Sequence, residues 1–373
     1  MNFKRTGALL GIAAATTMGL AACSDNQGGN GGGGDDQAKK VENSNCGGKA
    51  NLKSSGSSAQ ANAMQIFANS FAVSCSGQTL DYNSNGSGAG VKEFTGGQTN
   101  FAGSDSALKE DEVTKAQETC GSEAWNLPAV FGPIALAYNL PGVEGLKLSG
   151  ATAAKIFNGQ IKKWNDPAIA AENAGVNLPD KDVTVIFRSD ESGTTDNFQK
   201  YLKAASDGAW TQEVGKTFNG GVGEGAKGND GVSAAVKGGE GAVTYTEWSY
   251  AKSQNLQMAS IITPTSKDGV KLDAATAGKT IDSAKLKKEG TNDLVIDTSS
   301  FYVPQAEGAY PIIMPTYEIV CSKYKDPEVG KAVKAFLNIA VSKDVQGELE
   351  SKGYIPVPDA FREKLTKAID AIA

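Results

Sequence analysis

The segment Arg188-Ser189-Asp190-Glu191-Ser192-Gly193-Thr194-Thr195-Asp196 joins an apolar strand, Val183 to Phe187, to a helix beginning at Thr195. In that helix Phe198, Tyr201, Leu202 and Ala205 recur at i, i+3, i+4 and i+7. A strand, a polar turn and an amphipathic helix can bury their apolar faces only by packing beside other units of the same kind. Such units recur along the chain. Ala50 to Lys53 reads as a strand, and Gln60 to Ala72 as a helix with Met64, Phe67, Ala68 and Phe71 on one face. Thr79 to Asn83, Thr99 to Ala102, Val243 to Tyr245 and Tyr317 to Cys321 read as further strands. The alternation predicts an α/β protein with mostly parallel sheets and helices on both faces.

Open parallel sheets bind ligands at the carboxyl ends of their strands. Four loops at such positions are rich in Ser, Thr and Gly: Ser54-Ser55-Gly56-Ser57-Ser58-Ala59, Asn85-Gly86-Ser87-Gly88-Ala89-Gly90, Gly103-Ser104-Asp105-Ser106, and the 188–196 segment. Small residues admit a ligand close to the backbone, helix N-termini present unpaired N–H groups, and hydroxyls add neutral donors. Each loop alone is a weak signal, since Ser/Gly stretches are more often plain turns or helix caps. Together they suit a small oxyanion. The chain carries 33 lysines but only three arginines, Arg5, Arg188 and Arg362. At a strand end facing a Ser-Gly-Thr turn, the Arg188 guanidinium offers a rigid fork that an ammonium cannot copy. The competing reading is a surface ion pair with Asp190 or Glu191. Arg362 reads as part of a solvated helix face.

The N-terminus bears on compartment. Lys4 and Arg5 precede an apolar run, Ala8 to Leu20, and then Leu20-Ala21-Ala22-Cys23. The run is too short to span a bilayer, and the small residues before Cys23 suit signal cleavage. Residues 1–22 are therefore expected to be a signal peptide, with Cys23 resembling a lipobox cysteine that takes up lipid. Residues 23–45, with Gly31 to Gly34 among polar side chains, read as a flexible tether with a reach of roughly 25 Å. Losing Lys4 and Arg5 takes the formal charge from −6 to −6 − 2 = −8, which argues against nucleic acid as a ligand. The remaining four cysteines, Cys46, Cys75, Cys120 and Cys321, suit two disulfides and allow three pairings. Cys46–Cys75 is favoured because each precedes one of two neighbouring strands, which leaves Cys120–Cys321.

The absence of histidine removes Ser-His triads and most zinc sites, and there is no phosphate-binding P-loop and no G-x-S-x-G elbow. A Ser-Lys hydrolase is the enzymatic alternative, but the oxyanion loops hold no lysine. No enzyme activity, cofactor or metal is expected.

Arg188-Ser-Asp-Glu-Ser-Gly-Thr-Thr195, Phe101-Ala-Gly-Ser-Asp105, Asn85-Gly-Ser87-Gly and Ser57-Ser58 stand in an order that resembles the phosphate-binding proteins of high-affinity phosphate ABC transporters. Ile161-Lys-Lys-Trp-Asn-Asp-Pro167, Gly228-Asn-Asp-Gly231 and Gly241-Ala-Val-Thr-Tyr-Thr-Glu247 extend the resemblance, which runs from about Asn51 to the C-terminus. It implies a periplasmic-binding-protein-like fold of two lobes with a ligand cleft between them. Lobe I would comprise residues 46–131 and 310–373, and lobe II residues 132–309. Carried over by position, Ser58, Ser87, Ser192 and Thr194 would donate hydroxyls. Ala59, Ser87, Gly193 and Thr194 would offer backbone N–H groups. Arg188 would supply charge, Asp105 an acceptor, and Asp190 would orient Arg188. The sequence departs from the family at Ser58-Ala59, where Thr-Phe is usual, removing an aromatic from that wall. The implied partners are inorganic phosphate, the permease subunits of a phosphate ABC transporter, and the membrane through the N-terminal lipid. The protein is expected to be a monomer on the outer face of the membrane. Sulfate or molybdate receptors and a moonlighting surface adhesin are the alternatives.

Overall fold

Strands and helices alternate through the computed structural model, which describes residues 38–42 and 44–373. The signal segment, Cys23 and most of the expected tether lie outside the described residues. β1 (Asn51–Gly56), β2 (Thr79–Asn83) and β3 (Phe101–Ser104) are followed by the helices Ala61–Ser74, Ser87–Thr95 and Glu110–Cys120. β4 (Ala124–Tyr138) is a long strand, and β5 (Lys147–Ser149) leads into the helix Gly150–Phe157. β6 (Thr184–Arg188), β7 (Glu224–Ala226) and β8 (Ala242–Glu247) precede the helices Gly193–Ala205, Gly228–Gly238 and Trp248–Ser253. β9 (Gln257–Met258), β10 (Ser260–Thr263), β11 (Ser266–Val270), β12 (Lys285–Leu286) and β13 (Ile296–Asp297) are short, and β14 (Ile313–Cys321) is the last strand.

The main sheet runs β2-β1-β3-β14-β4-β8-β6-β7, with β9 also on β4. Its two flanks are parallel, β2-β1-β3 on one side and β7-β6-β8 on the other. The centre is not. β14 lies antiparallel to β3 and β4, and β4 lies antiparallel to β8. The sheet is therefore parallel at its flanks, as the alternating pattern predicts, and antiparallel at its centre. The reason is topological. The chain passes from one half to the other along β4 and returns along β14, so the two must run in opposite directions.

β4 pairs with β14 up to Pro133, opposite Ile313, and with β8 from Ile134, opposite Glu247. Every residue of β4 and β14 is buried. On the first half, the 61–74 helix places Met64, Phe67 and Phe71 inward, and Phe336 of the helix Pro327–Ala340 meets both Phe71 and Phe101. On the second half, Phe198 stacks on Tyr245 with ring centroids 4.5 Å apart.

Cys46 is bonded to Cys75 and Cys120 to Cys321. The first bridge joins the leads into the neighbouring strands β1 and β2. The second ties the end of the 110–120 helix to the end of β14. The final part of the expected tether lies on the body instead of away from it. Val41 packs against the core and donates its N–H to Ser74 Oγ at 2.9 Å. Among the described residues no helix is long and apolar enough to cross a membrane.

Candidate anion site

The parallel flanks point the carboxyl ends of β1 and β3 toward that of β6, and the loops leaving these strands meet. From the first half come Ser58, Ala59, Ser87 and Asp105; from the second come Arg188, Ser192, Gly193 and Thr194. All eight are buried.

Arg188 ends β6. Its guanidinium grips Asp190 with Nε on Oδ1 at 2.8 Å and Nη2 on Oδ2 at 2.5 Å, and its Nη1 reaches Thr194 Oγ1 at 3.4 Å. The Arg188 side chain is 1% exposed, so the fork is fixed inside the protein and is not a surface pair. Tyr245 accepts the Arg188 backbone N–H at 3.2 Å and shares a hydrogen with Thr195 Oγ1 at 2.7 Å, which locks the turn. Burial raises the Asp190 carboxyl, but the Arg188 hydrogen bonds and charge outweigh it and hold the group below its ordinary value. The ion pair is thus kept intact, and most of its charge is cancelled internally.

Asp105 lies in the loop after β3, and its two oxygens collect hydroxyl donors from three places. Oδ1 accepts from Ser57 at 2.5 Å and from Thr316 of β14 at 2.9 Å, and Oδ2 accepts from Thr194 at 3.2 Å. Burial pushes this carboxyl up, while the hydroxyls and the Arg188 charge pull it part of the way back. A helix-cap role is ruled out, since the next helix begins at Glu110 with Lys109 as its cap.

Thr194 and Gly193 open the 193–205 helix, and Ser87 opens the 87–95 helix. Their backbone N–H groups stand in the first turn, where no intrahelical carbonyl reaches them. The Ser87 hydroxyl accepts from the Asp105 N–H at 3.2 Å. The Ser192 hydroxyl caps its helix by accepting from Thr195 N at 3.1 Å. Each retains its own hydrogen for a further acceptor. Gly193 has no room for a side chain, because a Cβ there would stand 2.6 Å from both the Asp105 Cβ and the Ser87 Oγ.

Ser58 is paired with a residue that the sequence reading quoted within a motif but gave no role. Asn229, at the start of the 228–238 helix, donates to Ser58 Oγ from both its backbone N and its Nδ2, each at 3.0 Å. Its Nδ2 also lies 3.4 Å from Thr194 Oγ1, and its Oδ1 accepts from Glu247 N at 2.9 Å. With both Ser58 lone pairs filled, the Ser58 hydrogen is directed elsewhere. The Ala59 N–H is satisfied by Ser57 Oγ at 3.0 Å. The wall that lacks an aromatic at position 59 is held by two tyrosines from distant segments. Tyr354 donates to the Ala59 carbonyl at 2.7 Å, and Tyr250 donates to the Ser58 carbonyl at 2.9 Å.

The two sides are in direct contact around the site. Asn197 Nδ2 donates to the Asp105 carbonyl at 2.7 Å, and the Ser106 hydroxyl donates to Asp196 at 2.5 Å. At the rim, Lys92 pairs with Glu191 at 2.7 Å and Lys216 with Glu112 at 3.0 Å. Chemically this is a small, enclosed nest of hydroxyls and helix-start N–H groups around one buried acceptor and one internally paired cation. Among the described residues no cluster of potential metal ligands occurs.

Residues 35–344 match the PBP superfamily domain model. The chain is 54% identical over 375 residues to the phosphate-binding protein PstS 3 of Mycobacterium tuberculosis, covering 100% of both chains. It belongs to the PstS family. It is also 51% identical over 375 residues to the phosphate-binding protein PstS 2 of the same organism, again covering 100% of both. Among solved structures, the phosphate-binding protein of Stenotrophomonas maltophilia shares the fold, with a TM-score of 0.69 at 20% identity over 86% of this chain and 94% of the other.

Proposed function

We propose that this PstS-family chain captures inorganic phosphate between its two halves and delivers it to the permease of an ABC importer, without catalysing a reaction. One observation carries the reading: the buried Asp105 carboxylate sits among hydroxyl donors, opposite the helix starts at Ser87 and Gly193. An anion site should exclude a carboxylate unless the ligand brings a proton. Phosphate near neutral pH carries at least one, and sulfate and molybdate carry none. On binding, the Thr194 hydroxyl turns from Asp105 Oδ2 to a phosphate oxygen, and the phosphate O–H takes its place on Oδ2. Ser58, Ser87 and Ser192 donate their hydroxyl hydrogens, and Ser87, Gly193 and Thr194 their N–H groups. Arg188 contributes Nη1. Because Asp190 cancels much of the Arg188 charge, attraction comes mainly from oriented dipoles.

The ligand bridges residues from both halves, so capture and closure are one event. The halves meet where β4 changes partner, between residues 133 and 134, and where β14 begins, at residue 313. Lipid on Cys23 and a short tether would hold the receptor extracytoplasmically, beside its transporter, as a monomer. Calorimetric titration with phosphate, arsenate, sulfate and molybdate tests the reading. Phosphate and arsenate are expected to bind and the other two to be rejected; sulfate or molybdate binding as tightly as phosphate would sink it.

A further inference from the structure

We propose that Glu318 is a positioning residue for the anion site, a neutral buried acid that keeps a second negative charge away from Asp105 and whose ionisation weakens phosphate binding. The inference rests on the phosphate reading above. Glu318 lies on β14 two residues beyond Thr316, so the two side chains leave the same face of the strand roughly 7 Å apart. Thr316 donates to Asp105 Oδ1, and Glu318 stands opposite Gly103, two residues before Asp105, so the acid shares a strand face with the residue that holds the carboxylate meant for the ligand.

The residue is 1% exposed, and neither carboxyl oxygen has a hydrogen-bond partner among the described residues. The neighbouring Gln60 amide oxygen is also without one, while Gln60 Nε2 donates to the Tyr82 hydroxyl at 3.1 Å. Tyr82 in turn donates to the Ser57 carbonyl at 2.8 Å, tying the cluster to the loop that carries Ser57 and Ser58. Three buried acceptor atoms with no donor are costly, and an ionised carboxylate among them is costlier still. A proton on Glu318 removes the charge and supplies a donor.

The titratable groups acting on Glu318 are Asp105, after β3, and Tyr82, on β2. Its cross-strand partners are Gly103 on β3 and Leu127 on β4, and neither carries charge. No cation is among the groups acting on it. Burial pushes its carboxyl up to about 8 and the Asp105 charge adds to the rise, while the nearby Gln60 amide, which makes no regular hydrogen bond to it, pulls it partly back. When Glu318 ionises, Asp105 faces a like charge in a dry interior, and the site becomes less hospitable to an anion.

The test is phosphate affinity by titration calorimetry, from about pH 6.5 to about pH 9.5, for the parent and Glu318→Gln. Phosphate's own ionisation is common to both proteins and cancels in the ratio of their affinities. That ratio is expected to lie within twofold below about pH 7 and to favour the variant by threefold or more above about pH 8.5. Parallel profiles overturn this inference alone, whereas no phosphate binding by the parent at any pH overturns it together with the phosphate reading. Should the variant not fold, the parent is titrated near pH 8 in two buffers of different ionisation enthalpy. Net proton uptake on binding, beyond that of phosphate itself, is expected; its absence overturns the proposal.

Discussion

Gly193 lies so close to Asp105 that a Cβ built on it would stand 2.6 Å from the Asp105 Cβ. The two residues come from opposite halves, one opening the 193–205 helix and the other following β3. Gly193→Ala therefore acts as a wedge. The helix start itself accepts alanine, so the fold is expected to survive with only a small change in melting temperature. Phosphate affinity is expected to fall by a hundredfold or more, roughly 2.8 kcal/mol of blocked closure. Titration and a melting curve on the same sample check this; affinity within a factor of two would mean that the halves close with space to spare.

Arg188→Lys keeps the charge and loses the fork. Lysine cannot engage both Asp190 oxygens as Nε and Nη2 do at 2.8 and 2.5 Å, nor reach Thr194 in the same pose. Loss of a charge-assisted hydrogen bond of roughly 1.5–3 kcal/mol predicts about ten- to a hundredfold weaker phosphate binding. An unchanged affinity would reduce Arg188 to a purely internal partner of Asp190.

Asp105→Asn bears on selectivity. The amide oxygen can still accept from Ser57 and Thr316, and the amide N–H can donate to an anion that carries no proton. A modest change for phosphate and a clear gain for sulfate are expected, narrowing the ratio by about an order of magnitude, ~1.4 kcal/mol. Competition titrations with both anions measure it. A variant that still rejects sulfate like the parent would remove Asp105 from the selectivity mechanism.

Glu318→Gln also alters stability in the absence of phosphate. The Glu318 carboxyl is raised from its ordinary 4.5 to about 8, so the folded state holds the proton more tightly than the unfolded chain. Its stabilising contribution is full below the ordinary value and is lost as pH climbs to the raised one. Glutamine cannot ionise and escapes that loss. The melting temperature of the variant relative to the parent should therefore rise by several degrees between about pH 5 and about pH 8. A difference that stays flat across that range would show that Glu318 does not titrate there.

Cys23→Ala tests the anchor. The variant is expected in the soluble fraction after cell breakage, with the phosphate affinity of its core unaltered. A protein still held to membranes after a high-salt wash would count against lipid on Cys23.

Much of this arrangement was legible in the chain because it is local. The 188–196 turn announces its strand, its fork and its helix start within nine residues, and Thr79 to Asn83 was read at its observed bounds. The sequence pattern does not mark the long strand β4. Pro128, Gly132 and Pro133 interrupt it, and with every residue buried it shows no alternation. Its partner accommodates Pro128 with a register shift between Thr316 and Tyr317. The missing parts of the site were equally non-local. Thr316, Tyr250 and Tyr354 reach it from segments hundreds of residues or a whole half away, with no motif to mark them. Asn229 did carry a signal, since Gly228-Asn229 stands at a strand-to-helix turn like the other site loops. The family resemblance implies that Asp105 is an acceptor, but its three hydroxyl partners depend on how β3, β14 and the 193–205 helix come together.

β4 has a consequence for the molecule as a whole. Its fifteen residues extend roughly 50 Å and serve both halves, and all of them are buried. Any cut that parts the halves along β4 puts a new charged terminus into a dry, wholly buried strand. Neither half is thus expected to fold when it is expressed without the other. With one core and one strand common to both halves, the protein is expected to melt in a single transition.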